Sequence, residues 1–189
     1  RLPDFLQQQL APKKGKVIEI PADAALPRNL GLVPENNDWS EMAAPFTLSP
    51  EMGEIKGEHN GAHFFTIGQR KGLGIGGTPE PLFVIGTDTK DNLIFTGQGD
   101  AHPGLRKEAL FVAQEDVHWV RPDLALQSGE EEIYSARIRY RQPLFGVTLH
   151  ASDKGLYVVF DEAQKAVTPG QFVAWYNEDE LIGSGVIQF

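Results

Sequence analysis

The 189-residue chain carries 17 Lys+Arg against 26 Asp+Glu, a formal net charge of -9, and 41% hydrophobic residues. That composition belongs to a folded globular chain and excludes a generally basic nucleic-acid coat, though not a local basic site. With no cysteine, it also excludes disulfides, Cys-ligated zinc, iron–sulfur clusters and thiol nucleophiles within these residues. No charged and apolar leader precedes Arg1, so no signal peptide is expected. The opening at Arg leaves two expectations: a leading segment already cleaved away, or a stretch belonging to a longer protein. Runs such as Leu82–Ile85 and Leu156–Phe160 fall far short of the ~20 apolar residues that cross a bilayer, so no membrane partner is expected.

In chain order, Pro3 suits the first turn of a short helix to about Leu10, which Ala11-Pro12 ends. Lys16–Ile20 reads as a strand. From about 21 to 52 the pattern dissolves into a long loop punctuated by Pro27, Pro34, Pro45 and Pro50. His63–Ile67, Leu82–Ile85 and Leu93–Thr96 are short aromatic and β-branched runs bounded by turn residues, and Asp91-Asn92 reads as a hairpin turn. Six further strands are predicted at Leu110–Trp119, Ile133–Tyr140, Val147–His150, Leu156–Phe160, Phe172–Tyr176 and Leu181–Ile187. Pro169-Gly170 between two of them is the pairing a type II turn requires. The expectation is a mainly β protein, with a small central β domain over 1–104 and a six-stranded β-barrel over 105–189.

Acids exceed bases chiefly at the two ends. There are five bases against eight acids over residues 1–55 and two against six over 146–189, with near balance between. An anion-binding surface is therefore expected in the middle of the chain. Gly68-Gln69-Arg70-Lys71-Gly72-Leu73-Gly74-Ile75-Gly76-Gly77 combines a permissive backbone with the donors of Gln69, Arg70 and Lys71. It satisfies the dinucleotide spacing, but Thr78-Pro79-Glu80-Pro81 follows where a helix would have to start. A plain glycine-rich turn with solvated cations remains the alternative. In Ile133–Gln142 a continuous strand would put Tyr134, Ala136, Ile138 and Tyr140 on one face and Arg137, Arg139 and Arg141 on the other, about 6–7 Å apart. Such a row invites phosphates, unless it pairs with Glu130–Glu132, Asp161 or Glu162. The histidines read as capping or turn residues, since His59 and His63 lack a third metal ligand nearby.

Several motifs, in order and spacing, resemble one family. Gly57-Glu58-His59-Asn60-Gly61 is followed by Phe65–Gly77, then Arg139-Tyr140-Arg141-Gln142, Phe160-Asp161-Glu162, Ala166–Gln171 and Gly183–Ile187. Together with Asp4-Phe5-Leu6, these are similar to the C-terminal half of the bacterial tRNA-uridine 2-sulfurtransferases, or tRNA 2-thiouridylases. The resemblance implies a translation-factor-like barrel and an enzyme that adenylates the wobble uridine of certain tRNAs with ATP and magnesium. Sulfur then arrives on a cysteine persulfide, supplied by a cysteine desulfurase or a sulfur-relay protein in the cytoplasm. It implies no catalytic residue in this chain, which lacks the nucleotide loop and both catalytic cysteines, and it makes 21–52 an insertion. Gly146 stands where the family often has a cysteine, and Ser184 where it often has glycine. Gln69, Arg70, Lys71, Arg137, Arg139 and Arg141 are then expected to lie near bound tRNA. The alternative is a free-standing β-barrel that binds protein rather than RNA.

Overall fold

The computed structural model describes residues 12–189; the helix expected at Pro3–Leu10 lies outside them. The chain divides into two compact units. One runs to Pro27 and resumes over Thr47–Leu105; the other joins Arg28–Phe46 to Arg106–Phe189.

In the first unit, β1 (Gly15–Glu19), β2 (Glu54–His59), β3 (Leu82–Asp88) and β4 (Leu93–Gln98) form one sheet in the order β2-β1-β4-β3. Strand β1 runs antiparallel to β2 and parallel to β4. Both faces are covered. Val17 packs with Leu73, Leu82, Val84 and Ile94, whereas its neighbour Ile18 packs with Ile20, Ile85, Phe95 and Leu105. Burial on both sides is why these strands read as unbroken apolar runs. The predicted turn closes β3 onto β4: Asp88 Oδ1 accepts the N–H groups of Lys90 and Asp91, and Asn92 takes a φ of 56°. Two expectations change. His63–Ile67 is no strand; Ala62–Phe64 forms a single 3-10 turn. Strand β2 carried no sequence signal because it is an edge strand whose side chains, His59 aside, remain largely in water.

The second unit holds a curled sheet of seven strands, β5 (Arg106–Ala113), β6 (Val117–Trp119), β7 (Glu131–Arg137), β8 (Phe145–Ala151), β9 (Gly155–Lys165), β10 (Phe172–Asn177) and β11 (Glu180–Val186), in the order β5-β9-β8-β7-β10-β11-β6. Seven replaces the predicted six because a 3-10 turn at Gln114–Asp116 breaks the Leu110–Trp119 run into β5 and β6. The sheet curls round so that Phe111 N donates to Phe189 O at 2.7 Å and Gln188 N donates to Phe111 O at 2.9 Å. Leu110, Val112, Leu149, Val158, Val173, Trp175 and Ile182 fill the interior. The type II turn is present: Gly170 has φ 86° and Gln171 N donates to Thr168 O at 3.2 Å.

Part of the predicted insertion belongs to this unit. Sequence reading placed 21–52 in the first domain, but Arg28–Phe46 packs against the barrel's outer face. The short helix α1 (Asp38–Ala43), capped by Asn37 Oδ1 on Ser40 N at 2.8 Å, covers Ala109, Phe111 and Tyr157 together with Phe189. Strands β5 and β9 therefore also bury both faces, and need that cover.

Candidate nucleic-acid interface

The first group of predicted residues sits in the glycine-rich loop. Two backbone bonds dock it on β3, Gly68 N to Val84 O at 2.7 Å and Val84 N to Gln69 O at 2.9 Å. Leu73 and Ile75 anchor it in the core beneath. Gly68, Gly72, Gly74 and Gly77 all take positive φ, which explains the glycine density. The Gln69 side chain is occupied within the loop: its Oε1 accepts Thr66 N at 3.2 Å and its Nε2 donates to Lys71 O at 2.8 Å. Arg70 and Lys71 are exposed, and no side-chain hydrogen bond or ion pair holds either among the described residues. Gln69 thus shapes the loop that presents two unengaged cations.

The second group lies on the barrel, and here the predicted arginine row does not form. Strand β7 ends at Arg137, and the chain turns over Ile138–Gln142, with Arg141 at φ 60° and Gln142 N donating to Arg139 O at 3.2 Å. Tyr134, Ala136 and Ile138 do face the interior, but Tyr140, past the strand's end, is 86% exposed. The three arginines have different environments. Arg137 lies opposite Ala174 of β10, its guanidinium 5.0 Å from the Tyr176 ring centroid, with a buried Nε that has no partner. Arg139 Nη2 donates to the carbonyls of Lys165 and Ala166, pinning the turn to the end of β9; desolvation there lowers its pKa from the usual guanidinium value. Arg141 projects outward with its guanidinium 5.0 Å over Tyr140. No acid pairs with any of the three among the described residues; Glu131 instead faces His150 at 3.1 Å.

Beside this turn opens a cleft of about 520 Å³ lined by Arg137, Arg139, Tyr140, Gln171, Phe172 and Ala174. Phe172, the first residue of β10, is 66% exposed. Tyr140 reaches the surface because its strand stops three residues sooner than the alternation predicts, and Phe172 does so as the outward-facing first residue of β10.

The glycine loop runs into Thr78–Pro81 rather than a helix, and among the described residues no cluster of three or more His, Asp or Glu side chains is placed to hold a metal ion.

Comparison with known proteins gives this geometry a setting. Residues 47–98 match the tRNA methyl transferase PRC-barrel domain, and residues 111–187 match the aminomethyltransferase beta-barrel domain. Over 99% of the chain, it is 53% identical to the tRNA-specific 2-thiouridylase MnmA of Christiangramia forsetii and 54% identical to that of Flavobacterium johnsoniae. This chain belongs to the tRNA-specific 2-thiouridylase family. A further 2-thiouridylase, from Karelsulcia muelleri, is 39% identical over 97% of the chain. The chain spans about half the length of these 2-thiouridylases, 48% of the first two and 46% of the third, and corresponds to their C-terminal portion. Residues 28–46, which cover the barrel, fall outside both domain matches. No helix among the described residues is long and apolar enough to cross a membrane.

Proposed function

We propose that this chain is the tRNA-gripping portion of an enzyme that replaces the 2-oxygen of the wobble uridine with sulfur. The observation that carries the reading is the 53% identity with a tRNA-specific 2-thiouridylase along 99% of the chain. The unpaired cations support it: Arg70 and Lys71 on one unit and Arg137 and Arg141 on the other stand free of acids in a chain of net charge -9. Such cations hold phosphates, and phosphate contacts position a polyanion without reading its sequence. Gln69 and Arg139 act as positioning residues, the first through the loop backbone and the second through the Lys165 and Ala166 carbonyls.

The chemistry itself is assigned to residues outside these 189. The chain has no cysteine, so the persulfide sulfur, delivered by a cysteine desulfurase or relay protein, reaches the uridine from elsewhere in the enzyme. ATP, with magnesium, would supply adenylation of the uridine 2-oxygen when bound to the rest of the enzyme. The enzyme works in the cytoplasm, alongside its tRNA.

A salt titration of tRNA binding tests the reading. Affinity should fall log-linearly with salt, and Arg70→Ala and Arg141→Ala should each flatten the slope by about one counterion. tRNA affinity that ignores both salt and these substitutions would overturn the basic grip, and no tRNA binding at all would point to a barrel that engages protein instead.

A further inference from the structure

We infer that the cleft beside the β7 turn is a stacking pocket for one unpaired RNA nucleotide, an inference that rests on the tRNA-gripping reading and deepens it. Two features separate this cleft from an ordinary surface dent. Its rim carries two large rings that the fold leaves in water: Phe172 is 66% exposed, and Tyr140 is 86% exposed even with the Arg141 guanidinium over it. Its cations are held in place rather than mobile. Arg139 is fixed by two backbone carbonyls and Arg137 by the Tyr176 ring, while the buried Arg137 Nε has no hydrogen-bond acceptor.

The floor is open for a specific reason. On the outer face of β10 the order is Phe172, Ala174, Tyr176, and Ala174 sits directly opposite Arg137. A methyl group between two aromatic neighbours leaves a slot, and the cleft's 520 Å³ falls in the range of small-molecule pockets. A flat, apolar face to lie on the rings, combined with a negative charge to meet guanidinium groups, describes a nucleotide. Stacking on rings is tolerant of base identity, so the pocket takes a flipped or loop base of any kind, with its phosphate toward the arginines. The Gln171 side chain on the lining can donate to or accept from a base edge. A peptide would use the rings equally well but has no reason to require three acid-free arginines around them.

The test uses the full chain, a tRNA transcript, and a short single-stranded RNA carrying 2-aminopurine. Tyr140→Ala and Phe172→Ala should each weaken binding roughly 5- to 100-fold and abolish the 2-aminopurine quench. The salt slope should not change, since neither ring touches a counterion. Tyr140→Phe should bind as the parent does, because it keeps the ring. Ala174→Leu, which fills the slot while leaving both rings in place, should also lose the quench, giving an arm independent of ring truncation. Near-ultraviolet circular dichroism checks folding. Suppose the ring and slot variants bind and quench like the parent while Arg70→Ala and Arg141→Ala still flatten the slope. Then the pocket is refuted and the grip on tRNA stands. Ring variants that spare RNA binding but release a co-purifying protein would make the cleft a protein site and refute it equally. A parent chain without salt-dependent tRNA binding would overturn the gripping reading, and the pocket with it.

Discussion

Ser40 Oγ on α1 donates to the hydroxyl of Tyr157 on β9 at 2.9 Å, with both residues about 1% exposed. This bond ties the strap of residues 28–46 to the barrel wall. Desolvation, with the Glu35 carboxylate nearby, pushes the Tyr157 hydroxyl to a pKa of about 12, so it stays a neutral donor and acceptor. Tyr157→Phe and Ser40→Ala should each cost about 1 kcal/mol in urea unfolding. The double variant should cost less than the two added together, because both remove the same bond. Full additivity would show the two groups to be energetically independent.

Lys107 on β5 is buried, and its ammonium donates to the carbonyl of Ala43 at the end of α1. Burial, aided by the Arg28 guanidinium and opposed by Glu108, lowers its pKa to about 7. Between pH 7 and the unfolded value near 10.5, the unfolded chain binds more protons than the folded one. Stability should therefore rise with pH across that window, by at most about 1.4 kcal/mol per unit from this group. Below pH 7 its contribution is flat. Denaturation midpoints from pH 7 to 10 in the parent and in Lys107→Met read this directly: the variant should lose the rise.

Glycines flank Ser184 on β11 for a reason that alternation makes plain. A Cβ on Gly183 would lie 2.4 Å from Cζ2 of Trp175, and one on Gly185 would lie 2.4 Å from Val112 Cγ1; both atoms belong to the barrel interior. Ser184 points the other way and is only half-buried. Gly183→Ala should destabilise by about 2 kcal/mol or more through overpacking, while Ser184→Gly should stay within about 1 kcal/mol. Gly146→Cys should also be mild, because the Cβ would meet only the side chain of exposed Asp161, which can swing aside. Thermal unfolding of the three variants checks the ranking.

Asn92 is the joint of the first unit. Its Oδ1 accepts Ala62 N at 3.0 Å, its Nδ2 donates to Lys13 O at 2.9 Å, and its own carbonyl accepts His59 Nε2 at 3.1 Å. With φ 56° it also occupies a backbone region open to few residues besides glycine and asparagine. Asn92→Ala should cost about 2–4 kcal/mol by chemical denaturation. Asn92→Gly, which relieves the backbone strain but not the lost bonds, should recover about 1 kcal/mol of that.

The readable parts of the sequence were those where local pattern and burial agree. Strands β3 and β4 with their Asp91-Asn92 turn, and β8 to β11 with Pro169-Gly170, all announce themselves through apolar runs closed by turn residues. Pairing over long range left no such mark. His59 and His102 do the same job in the first unit: Nδ1 accepts the N–H two residues on, from Gly61 and Gly104, and Nε2 meets a carbonyl from a distant segment, Asn92 and Ile20. Sequence shows the turn half of that role but not the remote carbonyl. Among the predicted interface residues, strand alternation put Arg139 beside Arg141 on one face. Only the turn after Arg137 shows that the first is occupied by backbone carbonyls and the second is free. The cover on β5 and β9 left no local mark, because residues 28–46 read as loop and the wall they cover lies far along the chain.

The strap also sets an order of events during synthesis. Ser40 leaves the ribosome 117 residues ahead of Tyr157. At roughly 5–20 residues per second, α1 waits about 6–23 s for the wall it will cover. Through that interval the strap's apolar groups, Val33, Trp39 and Met42, have no native surface to rest on. Nascent chains stalled short of β9 should therefore be the forms that recruit chaperones, and release should come only once β9 has emerged.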